Sequence, residues 1–250
     1  MAENTSMVKQ PAPSEWGKDQ LTAFFDDVES NAYVTFVRLP EMMRLAIDID
    51  AFYRSIFGIA DYSGSGFQYL FIPRAHSSYL AGVRLAAGTQ VPESYMVTRG
   101  CLENVLYGFF LFKHPEHVEC YLKRDETDDT KREFRKRFKF QDMIQVLKDE
   151  NSSVGSAVSM LYERTIDWGA HPNEKALTSN MTMKREDGMI RLDGHHLSDN
   201  ESAIKLALKT VMLSGVAGLK TVECMFPAKF KEMVLSEKLD SLLLSVERLR

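Results

Sequence analysis

The chain has 250 residues, 44% of them hydrophobic and 26% charged, with a formal net charge of -4. That length buries a sizeable core in one domain or in a helical domain with elaborations, and the composition excludes global disorder. The slight acidity removes any broad attraction for nucleic acid and leaves local basic patches as the electrostatic route to phosphate.

Cys101, Cys120 and Cys224 have neither CxxC spacing nor an even count, and Cys101 and Cys224 fall within apolar helical patterns. They read as reduced core residues of an intracellular, cytoplasmic protein. The longest compact apolar run, 105–112, is too short to span a bilayer, and no basic-plus-apolar leader opens the chain, so no membrane association is expected. The glycosylation-type triplets beginning at Asn4, Asn151 and Asn180 are then incidental.

MAENTSMVKQPAPSE is polar and carries two prolines, which predicts a mobile arm over 1–15 ahead of a single helical domain over 16–250. Trp16, Leu21, Phe24, Phe25 and Val28 recur at near-helical spacing and predict a first helix ending near Asn31. Pro40 opens a second helix running to about Ala60, with Met43, Ile47, Phe52, Ile56 and Ile59 as its apolar side. After a turn at Gly64 and Gly66, the segments 74–88 and 94–113 read as a helix pair joined at QVP, apolar enough to be central in a bundle. Pro115 then interrupts the pattern before HVECYLKR.

Residues 125–139 place four acids in five positions ahead of six bases in nine, a charge order that predicts one helix continuing through FQDMIQVLKDE. Lys131, Arg132, Arg135, Lys136, Arg137 and Lys139 form either a solvated helical face or a patch for RNA, with Phe134, Phe138 and Phe140 as core anchors. The serines at 152 and 153 open a helix whose apolar side is Val154, Val158, Leu161 and Tyr162, and which Gly169 and Pro172 close. Alternation around Asp187 and Gly188 predicts a hairpin near 181–192, one face solvated and the other lying on the helices. Ser198 or Asp199 caps a helix carrying Ile204, Leu208, Val211 and Leu219, and the last segment brings Phe230, Val234, Leu239, Leu242 and Leu243 to the bundle or to a partner.

The chain has no dinucleotide-binding, Walker-type, HExxH or zinc-cysteine motif. His195 and His196 beside Asp193 read as a polar turn. His114 and His117 flank Pro115 without a convincing third ligand, and His76, in the first turn of a helix, reads as solvent-facing or as a cap. No metal and no cofactor are therefore expected.

RTIDWGAHPN holds the strongest candidate chemistry. Seven positions separate Arg164 from His171, about 700 degrees around an α-helix, so a persistent helix sets both on one face roughly 10 Å apart in rise. Gly169 and Pro172 favour a break, which either swings the imidazole toward the guanidinium or leaves it as a C-terminal cap. RNA cleavage without a metal needs proton transfer near neutrality, which suits histidine, and a cation for the developing phosphorane charge, which suits arginine. Arg99 and Glu103, one turn apart on an apolar helix, read as an internal ion pair or, with Glu163 and Asp167, as support for Arg164 and His171.

The apolar antiparallel helices, RGCLENVLYGFFLF with Arg99 and Glu103, and LYERTIDWGAHPN together resemble the HEPN-like superfamily of helical bundles, over roughly residues 74–222. The resemblance implies an all-α antiparallel bundle with additional N- and C-terminal helices and a small β-hairpin insertion. It also implies a homodimer, because an arginine and a histidine separated by four to six residues form the superfamily's ribonuclease motif and dimerisation assembles a composite site. Arg164 and His171 have six residues between them and match its outer limit, while Thr165 stands where catalytic members often carry an amide or an acid. Metal-independent cleavage of RNA, a non-catalytic scaffold with a protein partner, and a small-molecule pocket lined by Tyr107, Phe110 and Trp168 are the functions this leaves open.

Overall fold

Helices α1 (Gln20–Arg38) and α2 (Pro40–Ile56) open the fold in a computed structural model that describes residues 11–57, 66–170, 174, 181–186 and 189–249. Asp19 caps α1 by accepting from the backbone N–H groups of Leu21 and Thr22. The helix runs past the expected end at Asn31 because nothing between 31 and 38 breaks it. It stops where Pro40 forces Leu39 out of the helical region, at φ -120 and ψ 54. The buried side of α2 is Met42, Leu45, Ala46, Ile49, Phe52, Tyr53 and Ile56, whereas Ile47 is exposed. The expected face is thus rotated, since the i, i+3, i+4 row ending in Tyr53 and Ile56 buries larger side chains. Ala60, Ile59 and Gly64 lie outside the described residues.

A 3-10 turn, Phe67–Leu70, leads from Gly66 into α3 (Phe71–Ala87), which begins before Pro73 because a proline is tolerated in a first turn. Three residues link α3 to α4 (Val91–Lys113), so the two lie as an antiparallel pair. A 3-10 turn at Pro115–His117 and the short α5 (Val118–Leu122) follow. The charged run does not form one long helix: α6 (Asp128–Arg137) and α7 (Phe140–Glu150) are separated where Phe138 turns into the core. Phe138 stacks on Phe134 at 4.7 Å and on Tyr107 at 5.8 Å, and its burial outweighs continuation of the helix. Asn151 caps α8 (Ser152–Thr165), which passes into a π-helical turn at Ile166–Ala170.

Strands β1 (Met181–Glu186) and β2 (Met189–Gly194) pair antiparallel with Glu186 opposite Met189, around Asp187 and Gly188, which lie outside the described residues. Beside its turn the hairpin lays neither face on the helices, in contrast to the expected covered face. Met189 and Ile190, successive residues that point to opposite faces, are 72% and 57% exposed. Asn200, rather than Ser198 or Asp199, caps α9 (Glu201–Met225), and α10 (Pro227–Glu232) and α11 (Leu235–Arg248) close the chain. Val234 is exposed in the left-handed region between those last two helices, while Phe230 and Leu239 are buried.

Two apolar clusters make the core, and both draw on α4 and α9. One includes α2, α3 and α11, the other α7, α8 and the aromatic side chains of α4. By length and composition α9 is apolar enough to cross a membrane, which the uninterrupted run at 105–112 does not anticipate, and 67% of that stretch is buried inside the bundle. Cys101 is buried among these helices, and burial pushes its thiol pKa up to about 12. His76 is buried too, against the expectation of a solvent-facing or capping role. It lies beyond the first turn of α3, hydrogen-bonds Asp50 at 2.6 Å and stacks on Tyr53 at 4.9 Å.

Close approach of α9 requires its small residues. A Cβ at Gly215 lies 2.7 Å from the Tyr79 ring and 3.2 Å from Ile49, and one at Gly218 lies 2.5 Å from the Tyr53 hydroxyl oxygen. Gly215→Ala is expected to reduce unfolding free energy by about 1–3 kcal/mol through overpacking, even though alanine is the better helix former. Gly100→Ala on α4, whose Cβ meets the Ser78 hydroxyl at 3.3 Å, is expected to be neutral or stabilising. Urea denaturation of the two variants measures the difference.

Candidate functional site

Where α4 meets α8, Arg99 Nε donates to Glu103 Oε1 at 2.8 Å and Arg99 Nη2 donates to the Tyr162 hydroxyl at 2.7 Å. The guanidinium also lies over the Tyr162 ring, 4.8 Å from its centroid. Tyr162 donates to Glu103 Oε1 at 3.3 Å and stacks on Phe140 with 3.8 Å between centroids. Burial acts to lower the Arg99 pKa, but Glu103 and Tyr162 outweigh it and hold the cation more firmly protonated than usual. Burial, followed by the Glu103 charge, raises the pKa of Tyr162.

One half-turn further along α8, Glu163 is exposed and Arg164 is half-buried. Arg164 makes no hydrogen bond or ion pair among the described residues. Its charge reaches the phenol of Tyr95, whose pKa is raised by burial and opposed by Thr210 and Arg164. Thr165 is buried and donates to the Tyr162 carbonyl at 2.7 Å at the end of α8. Beyond it Asp167 is exposed, and Trp168 stacks on Tyr95 at 6.4 Å. A Cβ at Gly169 collides with the Pro92 carbonyl oxygen, so only glycine lets the π turn close on the start of α4. His171, Pro172 and Asn173 lie outside the described residues.

The basic run is partly neutralised within α6. Lys131 pairs with Asp128, Arg132 with Asp129 and Arg137 with Glu133, while Arg135, Lys136 and Lys139 are exposed without an ion pair among the described residues. Phe134 and Phe138 pack on Tyr107 and Tyr121 as core anchors. That aromatic cluster reaches Phe110, fifteen residues along α4 from Tyr95 and therefore roughly 22 Å from it. Lys139 immediately precedes Phe140, which stacks on Tyr162 of the Arg99 network. The same separation keeps Tyr107 and Phe110 apart from Trp168, so these three do not line a common pocket.

Near the C-terminal end of α4, Glu116 joins the two histidines that flank Pro115. Ligand-capable atoms of His114, Glu116 and His117 all lie within 4.8 Å of one another, and His114 Nδ1 is 3.1 Å from Glu116 Oε1. The His117 pKa is lowered, first by burial. An open groove of about 410 Å³ adjoins the turn, lined by Glu119, Cys120, Glu133 and Arg137 among others. His195 is exposed, and His196 meets the edge of Phe24 at 6.1 Å.

Fold and site together define an all-α bundle with a hairpin insertion and polar clusters toward opposite ends of α4. Comparison with protein-family models, with curated proteins and with solved structures finds no match for the chain.

Sequence reasoning paired Arg99 with Glu103 but missed the part of Tyr162, which an apolar-face reading treats as core. It also missed Glu116, although HPEH carries the three donors in four residues. Tyr162→Phe is expected to reduce stability by about 1 kcal/mol, because it loses the hydroxyl contacts and keeps the stack on Phe140. Tyr162→Ala, which loses both, is expected to reduce it by about 3 kcal/mol. Denaturant midpoints of the two variants separate the contributions.

Proposed function

We propose that the chain is a metal-independent endoribonuclease of HEPN-like type that acts as a homodimer. The observation that carries the reading is Arg164, a half-buried guanidinium without an ion pair among the described residues, seven positions ahead of His171. A cation held out of bulk water without a carboxylate favours an anion, and the planar fork of arginine suits phosphate oxygens. The contrast with Arg99, whose charge Glu103 neutralises, makes Arg164 the phosphate ligand and the Arg99–Glu103–Tyr162 network its support. In the reaction, His171 takes the proton of a ribose 2'-hydroxyl, whose oxygen bonds to phosphorus as the bond to the 5' oxygen breaks. A second histidine, from the other protomer, protonates the leaving oxygen, and Arg164 stabilises the phosphorane. The products are a 2',3'-cyclic phosphate and a 5'-hydroxyl.

Wild type is expected to cleave single-stranded or structured RNA in the presence of chelator, and Arg164→Ala and His171→Ala to lose that activity by about 100-fold or more while keeping native helicity. Gel analysis of the cyclic-phosphate ends measures it. Equal cleavage by all three proteins rejects the assignment.

The end of α1 supports both the dimer and the interaction-protein reading. Tyr33, Val34, Phe36 and Val37 are 48–76% exposed around its last turns, and Thr35 is the helix's one buried residue among those described. Together they expose on the order of 450 Å² of side chain, at the upper range for a soluble monomer and more than half of one side of a standard interface. A second copy of the chain is the occupant we assign. Light scattering is expected to give twice the 28.5 kDa chain mass, and Phe36→Glu with Val37→Glu to return the protein to a monomer. A dimer that cleaves no RNA supports the non-catalytic scaffold instead.

A further inference from the structure

We infer that the His114–Pro115–Glu116–His117 turn binds one divalent transition-metal ion of the zinc class. This is independent of the nuclease reading. Pro115 opens a 3-10 turn in which the His117 N–H donates to the His114 carbonyl at 3.0 Å. In such a turn residues three apart fall on the same side, so the two imidazoles face one point. They lie nearly parallel, 5.6 Å between centroids with a 20° tilt, and both back onto Phe110 at 4.9 and 5.7 Å. This apolar wall limits how far the rings turn away and pre-organises them at little entropic loss. Glu116 supplies the third donor and the negative charge, from a side chain 61% exposed.

Donor atoms within 4.8 Å of one another stand slightly wider than the roughly 3.4 Å separations around a tetrahedral ion with bonds near 2.1 Å. Rotation of the exposed glutamate and of His114, itself 37% exposed, closes that gap without moving backbone. The His117 ring makes no hydrogen bond with any described residue, which leaves a half-buried imidazole with both nitrogens available. Two imidazoles and one carboxylate suit zinc, nickel or copper and suit calcium or magnesium poorly. Three protein donors leave a fourth position, and Glu116 and His117 themselves line the open groove that also contains Cys120 and Glu133. The site therefore has the open coordination that exchanges a water for an added ligand, unlike a closed structural site.

The test uses the full, tag-free chain, treated with chelator and exchanged into chelator-free buffer near neutral pH. Calorimetric titration with zinc sulfate is expected to show one saturable equivalent, and cobalt chloride to produce visible absorption bands of four-coordinate cobalt that zinc abolishes. His114→Ala and His117→Ala are each expected to weaken zinc binding by about tenfold or more, and Glu116→Gln to weaken it less, with helicity unchanged by circular dichroism. Substitution of both His195 and His196 by alanine is expected to leave binding intact. Lack of saturable zinc uptake overturns the proposal, as does uptake that survives joint substitution of His114 and His117. Because Glu116 is exposed, its variant keeps the question decidable even where a histidine variant perturbs the fold.

Discussion

The fold depends on how closely α9 approaches its neighbours. Two tyrosines, Tyr53 from α2 and Tyr79 from α3, fill the space that side chains at 218 and 215 otherwise take. Their hydroxyls reach back to main-chain carbonyls, Tyr53 to Gly215 at 3.0 Å and Tyr79 to Ala46 at 2.8 Å. Each phenol satisfies its polar end inside the core, so apolar area is buried without an orphaned donor. The contact couples three helices at once: closer packing multiplies the dispersion contacts of α9, and the same closeness penalises any larger residue at those two positions.

From this centre α4 extends to both polar clusters, and its sequence changes character along its length. Its N-terminal half presents Tyr95, Arg99 and Glu103 to α8 and the π turn. Its C-terminal half is aromatic and ends at the turn with the two histidines. One rigid rod therefore fixes two chemically different environments, one built on a guanidinium and phenols and the other on imidazoles and a carboxylate. Neither includes the greater part of the basic run, in which Lys131, Arg132 and Arg137 pair with acids of the same helix while Arg135, Lys136 and Lys139 do not. Short-range pairing within α6 thus offsets part of the run's positive charge, which charge counting along the chain does not reach.

Much of the helical scaffold was legible in the sequence because apolar spacing and proline positions are local signals. Ile204, Leu208, Val211 and Leu219 are all buried as their spacing implies, and the hairpin pairs around the predicted turn. The errors have tertiary causes. The α6–α7 break is decided by where Phe138 finds other rings, and the buried face of α2 by the partner that Tyr53 finds on α9. His76 was misplaced because the carboxylate that makes its burial tolerable, Asp50, belongs to another helix. The exposure of Ile190 shows the converse: alternation predicts a strand but does not guarantee that a surface waits to cover it. At the candidate site the Arg99–Glu103 pair was readable from its i,i+4 spacing, whereas the part played by Tyr162 needed two helices to meet.

The order of these helices along the chain has a consequence for synthesis. The most apolar helix is α9, and its 25 residues have the length and hydropathy of a bilayer segment while they remain unpacked. Its main partners α2, α3 and α4 all precede it, so they have left the ribosome before it emerges. Helix pairs made of local contacts form quickly, and the α3–α4 pair with its three-residue link stands ready as a docking surface. The interval in which α9 is exposed to chaperones or to membrane-targeting machinery then shrinks to the time of one docking step. Reversing that order, as a circular permutation that places α9 first does, prolongs the interval while leaving every native contact in place.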